Sequence, residues 1–126
     1  MIVRLKRRRK DAQRLTVGVD YFVVQVDDVY YRVVNDSGEP ILYKKDRFVV
    51  IDERIPDDWI RTDYPDGEYF IGPPETETRG FWELWHDRDP EARTIAMDAL
   101  RKIASWHLDR GRALRQTSTG QLGKTE

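Results

Sequence analysis

The sequence predicts an α+β fold: a small antiparallel β-barrel or bent sheet packed by one C-terminal amphipathic helix. Three observations carry the expectation. Four short runs of aromatic and β-branched residues fall within residues 17–52, separated by turn formers. A helical apolar stripe runs from Pro90 to about Arg110 and is capped at both ends. The 126 residues suffice for one core. The chain divides accordingly into a basic N-terminal arm (1–14), a single domain (15–110) and a polar tail (111–126). Within the domain, strands occupy 15–71, an aromatic and acidic connector 72–89, and the helix 90–110.

In chain order, Tyr21–Val26 and Val29–Val34 are the first two strands, with Asp27-Asp28 as the loop between them. Strict alternation puts Phe22, Val24 and Val26 on one side of the first, and Val29, Tyr31 and Val33 on one side of the second. The run Asn35-Asp36-Ser37-Gly38-Glu39-Pro40 holds the common turn formers and reverses the chain. Ile41-Leu42-Tyr43 is a third strand, Lys44–Arg47 a polar kink, and Phe48–Ile51 a fourth strand. Residues 53–67 break into turns, at Ile55-Pro56-Asp57-Asp58-Trp59, with a short helix at Asp57–Ile60 as the alternative there, and at Tyr64-Pro65-Asp66-Gly67. Glu68–Ile71 reads as a fifth strand ended by Gly72-Pro73-Pro74. For the helix, Asp89 is the N-cap, Pro90 fits the first position and Gly111 is the stop. The expected core is Phe22, Val24, Val26, Tyr31, Val33, Leu42, Phe48, Val50, Trp59, Ile95, Leu100 and Ile103.

Composition narrows the function classes. No Cys excludes disulfides, thiol nucleophiles and cysteine–zinc sites, and suits a reducing cytoplasm. No apolar run is long enough to span a membrane, and no apolar segment follows the basic start as in a signal peptide. The net charge of −1 divides into +6 for residues 1–14, −10 for 15–90 and +3 for 91–126. An acidic body of this kind favours basic partners.

Catalysis finds little support in the residues. There is no Gly-x-Ser-x-Gly elbow, phosphate-binding glycine loop or dinucleotide fingerprint, and no cofactor is implied. Ser105 and His107 stand two apart on the helix and point to different faces. Glu83, His86, Asp87 and Asp89 have metal-ligand chemistry, but the capping of the helix explains the acids without a metal. The reading is therefore non-enzymatic.

The run Tyr21-Phe22-Val23-Val24 is similar to the first strand of a Src-homology-3-like small β-barrel. Tyr30 to Tyr43 resembles the central hairpin of such barrels, and Lys44–Arg47 before Phe48-Val49-Val50 resembles their short helical turn and closing strand. The resemblance covers about 35 of the 126 residues. Peptide-binding members carry an Ala-Leu-Tyr-Asp-Tyr run and a Trp-Trp pair; neither occurs here, so proline-rich ligands are not implied. The order of barrel, aromatic and acidic connector and terminal helix also resembles small bacterial proteins of the toxin-immunity type, which implies an inhibitor that docks on another protein.

The residues point to protein binding independently. Residues 59–85 hold seven aromatics, Trp59, Tyr64, Tyr69, Phe70, Phe81, Trp82 and Trp85, interleaved with acids. Most must be core, yet their number exceeds what one helix interface needs, and aromatic anchors ringed by charge are what binding hot spots look like. The expected anchors are Trp59, Trp82 and Trp85, with Asp57, Asp58, Glu83 and Asp87 steering a basic protein partner. The alternative is a nucleic-acid-associated barrel using Arg4, Lys6, Arg7, Arg8, Arg9 and Lys10 on phosphates.

Overall fold

A computed structural model describes residues 1–111, and the remainder of the expected tail lies outside the described residues. The described chain is α+β: seven antiparallel strands in one open sheet, and a long C-terminal helix. The strands are β1 (Ile2–Leu5), β2 (Asp20–Asp27), β3 (Tyr30–Val34), β4 (Pro40–Lys44), β5 (Phe48–Asp52), β6 (Ile60–Asp63) and β7 (Tyr69–Gly72); the helices are α1 (Phe81–His86) and α2 (Pro90–Asp109). A 3₁₀ turn at Lys45–Arg47 links β4 to β5.

Strand β2 is the hub. The sheet runs β4-β3-β2-β1-β5, and β7, with β6 beside it, pairs with the far end of β2. With β3 along one edge of β2, β1 and then β7 share the other, β1 at Asp20–Phe22 and β7 at Val26–Asp27. No ladder among the described residues joins β4 to β5, so the sheet is open and the expected barrel closure is absent.

The N-terminal segment departs from the expected arm. Ile2, Val3 and Leu5 are buried, and β1 lies between β2 and β5. Three apolar residues, Ile2 facing one core and Val3 and Leu5 the other, outweigh the cations beside them once two strands are available to pair. Of the two readings of Ile55–Ile60 the turn forms and the helix does not: the Trp59 amide donates to the Pro56 carbonyl, and Ile60 begins β6.

A β-bulge decides which side chains reach the site. Val23 pairs with Val33, but Gln25 pairs with Arg32 and Val26 with Tyr31, so the register slips by one between Val23 and Gln25. The slip reverses the alternation. Ahead of it, Phe22 and Val24 face the helices; beyond it, Val26 joins Tyr31 and Val33 in the opposite core, not Phe22 and Val24. Gln25 and Arg32 are thereby turned toward the helical layer. On β4, Tyr43 opposite Tyr31 points inward, leaving Leu42 40% exposed. Val50, on an edge strand, is 42% exposed. Both are expected in the core, and neither belongs to it.

Both faces of the sheet are covered. On one, Ile2, Phe22, Val24 and Val34 pack against Phe81, Trp82, Trp85 and the Ala92–Ala96–Leu100–Ile103 stripe of α2. On the other, Val3, Leu5, Tyr21, Val33, Tyr43 and Phe48 pack beneath the chain around Ala12 and Leu15. Helix α2 starts at the expected cap, with the Asp89 carboxylate accepting from the Ala92 amide at 2.9 Å. Near its end, His107 stacks on Phe22 and lies 3.1 Å from the Met1 amino nitrogen.

Candidate functional site

Two segments with opposite local logic frame a groove of about 680 Å³. The first is the β6–β7 turn. The Gly67 amide donates to the Tyr64 carbonyl, the Tyr64 amide to the Glu68 carbonyl, and the Glu68 amide to the Asp66 carboxylate. Gly67 supplies the positive φ, +91°, that the turn requires. This presents Tyr64 and Phe70 as an edge-on pair 5.7 Å apart, with Asp66 and Glu68 exposed beside them. The second segment is Pro73–Glu83. Prolines 73 and 74 stop β7, a single 3₁₀ turn follows, and Gly80, at φ +79°, redirects the chain into α1. It contributes Thr76, Glu77, Arg79, Phe81, Trp82 and Glu83.

The floor is polar and buried. Arg32 is only 6% exposed. Its Nε donates to Gln25 Oε1 and its Nη1 to the Pro40 carbonyl, both at 3.1 Å. Its guanidinium lies 4.4 Å from the Trp82 ring centre. Gln25 in turn donates to Glu77 Oε2 at 3.1 Å. Burial lowers the Arg32 pKa to about 10, opposed by the carboxylates of Glu77, Asp27 and Glu83, so the side chain stays cationic at neutral pH. Burial pushes the Glu77 carboxyl up to about 7, against the Gln25 hydrogen bond and the Arg32 charge. Gly72 makes room for it: a Cβ there would lie 2.6 Å from Glu77 Oε2.

The expected anchors divide. Trp82 and Trp85 are 8% and 6% exposed and belong to the helix-facing core, so neither is an exposed anchor. Phe81, Trp82 and Trp85, spaced i, i+1 and i+4 on a short helix packed between sheet and α2, are all buried. Glu83 is exposed on the groove rim. Trp59 is half-buried and lines a second groove of about 300 Å³ with Asp57, Asp58, Lys102, Trp106 and Arg110. Asp87 is exposed at the end of α1 and lines neither groove. Among the described residues no group of three or more His, Asp, Glu or Cys is placed to hold a metal. No helix among them is long and apolar enough to cross a membrane.

The cationic run is divided as well. Arg4 pairs with Asp20 at 2.7 Å, and Arg9 approaches Asp11, which also binds Arg47 at 2.6 Å. Lys6, Arg7, Arg8 and Lys10 stand exposed in the loop after β1.

Sequence reasoning missed Gln25, Arg32 and Glu77. The available signal was two long polar side chains inside strands otherwise made of apolar residues. Their convergence with Glu77 depends on the bulge and on a loop some fifty positions away, which alternation alone does not reveal. No family model matches the chain, and neither a curated protein nor a solved structure matches it.

Proposed function

We propose that the protein is a non-enzymatic protein-binding module acting in the cytoplasm, an inhibitor of the immunity type that docks an acidic, aromatic surface on a basic partner. The observation that carries this reading is the groove rim, where the Tyr64–Phe70 pair stands beside the exposed carboxylates of Asp66, Glu68 and Glu83. Aromatic faces and carboxylates together favour a Lys or Arg side chain: the ring covers the methylenes and the acids meet the charge. The chain's own arginines already illustrate the preference, with Arg79 over Tyr64 at 5.6 Å and Arg61 over Tyr69 at 4.1 Å. The Trp59 groove, flanked by Asp57 and Asp58, extends the same chemistry.

The test uses a photo-crosslinking residue placed at Tyr64, compared with the same residue at Val17 as a control. A basic protein captured at position 64, and lost in the triple variant Asp66→Lys, Glu68→Lys, Glu83→Lys, supports the reading. Capture that survives the triple charge reversal, or occurs equally at Val17, refutes it. Nucleic acid captured through the Lys6–Lys10 loop, with affinity collapsing as salt rises, would favour the phosphate-binding alternative.

A further inference from the structure

The floor of the Tyr64–Phe70 groove has more hydrogen-bond donors than acceptors. Arg32 directs Nε and Nη1 to two neutral oxygens, and among the described residues Nη2 has no acceptor. No carboxylate forms an ion pair with this buried guanidinium; Glu77, Asp27 and Glu83 act on it only through space. The indole Nε1 of Trp82, which lines the same groove and carries the guanidinium on its ring, is buried without an acceptor. A buried cation is ordinarily paired, because an unpaired one gives up its hydration without return. A protein carboxylate is close at hand, yet Glu77 is committed to Gln25, and burial raises its pKa to about 7, so that it is neutral in mildly acidic solution.

We infer that the groove is a binding site for a monocarboxylate with an apolar body, the carboxylate seated on the free edge of the Arg32 guanidinium. The groove is of a size that holds a small organic molecule. Tyr64, Phe70 and Phe81 offer apolar walls, and the bound carboxylate supplies the acceptor that the floor lacks, through a charge-assisted hydrogen bond. The rim sets the far end of the ligand. Asp66, Glu68 and Glu83 repel a second carboxylate and favour a neutral or cationic group, with Arg79 opposing them. This inference does not rest on the docking reading: the floor alone places the carboxylate, and the rim bears only on the far end of the ligand.

The test follows the indole resonance of Trp82 in ¹H–¹⁵N spectra of the full chain in mildly acidic buffer while small ligands are titrated. Benzoate is expected to shift it saturably, 4-(aminomethyl)benzoate to bind more tightly, and terephthalate more weakly. Benzamide and benzylamine, which lack the carboxylate, are expected to bind at least about tenfold more weakly than benzoate. In the variants, Arg32→Lys keeps the charge but loses the fork and is expected to weaken benzoate about tenfold. Glu77→Gln is expected to hold or improve affinity, because a neutral amide replaces a group that repels the ligand when ionised. Should Arg32→Lys fail to fold, the comparison of acid with amide on the natural chain decides by itself. No saturable shift, equal binding of benzamide, or binding of benzylamine alone overturns the proposal; the last outcome leaves the cation-receiving rim intact.

Discussion

Glu77 ionises against its surroundings, and that fixes how it couples folding to pH. Its carboxyl is pushed up to about 7 by burial, from an ordinary value of 4.5. Between those values the folded state binds more protons than the unfolded one. The stability tied to the neutral carboxyl is therefore complete below about 4.5 and lost as pH climbs to about 7. Glu77→Gln keeps the side chain neutral throughout. Its melting temperature relative to the parent should rise from about pH 4.5 to 7 and then level off, with all other titrating groups cancelling in the difference. A difference independent of pH would mean that Glu77 is not buried as described. The neighbouring glycine makes a second case. Gly72→Ala would place its methyl 2.6 Å from Glu77 Oε2 and 3.1 Å from the Val24 carbonyl. The carboxylate can swing aside but the strand carbonyl cannot. The expected cost is about 1–2 kcal/mol in chemical denaturation, within the range for overpacking. The cost should shrink in Glu77→Ala, where one of the two obstacles is gone.

Elements whose pairing is local were legible, and those whose pairing is distant were not. The β2–β3 hairpin and the turn to β4 follow from alternation and turn formers within 25 residues, and α2 follows from its caps and its stripe. Strand β1 was hidden because its four residues sit beside a cationic run and its partners lie at positions 20–22 and 48–52. The β-bulge at Val24–Gln25 was hidden because strict alternation also fits the residues before and after it, and only the pairing with β3 exposes the slip. The site inherits the second gap. The acidic and aromatic segment was recognised, with Glu83 on the groove rim, but the floor of Gln25, Arg32 and Glu77 was not. Helix α2 yields the test proper to this scale. Leu100, 4% exposed among Trp85, Ala96 and Ile103, should cost about 2–5 kcal/mol when cut to Ala. Asp89→Ala removes only the cap to the Ala92 amide and should cost about 1 kcal/mol. If the two variants lose equal stability by denaturant titration, α2 is held by its ends and not by its packed face.

At the scale of the whole molecule, the first strand and the last described helix belong to the same sheet-and-helix layer, and this sets how the basic segment can be examined. Strand β1 separates β2 from β5, and α2 covers the face that includes Ile2. Deleting residues 1–10 thus removes a central strand together with the cations, and exposes one edge each of β2 and β5 to solvent. The predicted result is loss of cooperative unfolding, with exposed apolar surface and aggregation, whatever the cations do. Charge alone is separable. Lys6, Arg7, Arg8 and Lys10 are exposed after β1 ends, so changing all four to Glu leaves Ile2, Val3 and Leu5 in place. That variant should melt within a few degrees of the parent, since surface substitutions rarely exceed about 0.5 kcal/mol each, while the net charge falls from −1 by eight units to −9. A more acidic molecule should associate faster with a basic protein at low salt, and lose that advantage as salt screens the field. Phosphate binding through the loop requires the opposite: the same variant would lose its affinity at every salt concentration. Association rates of the parent and the four-fold variant, measured against a basic protein and against duplex DNA, therefore separate an acidic docking surface from a basic one without disturbing the strand that supports both.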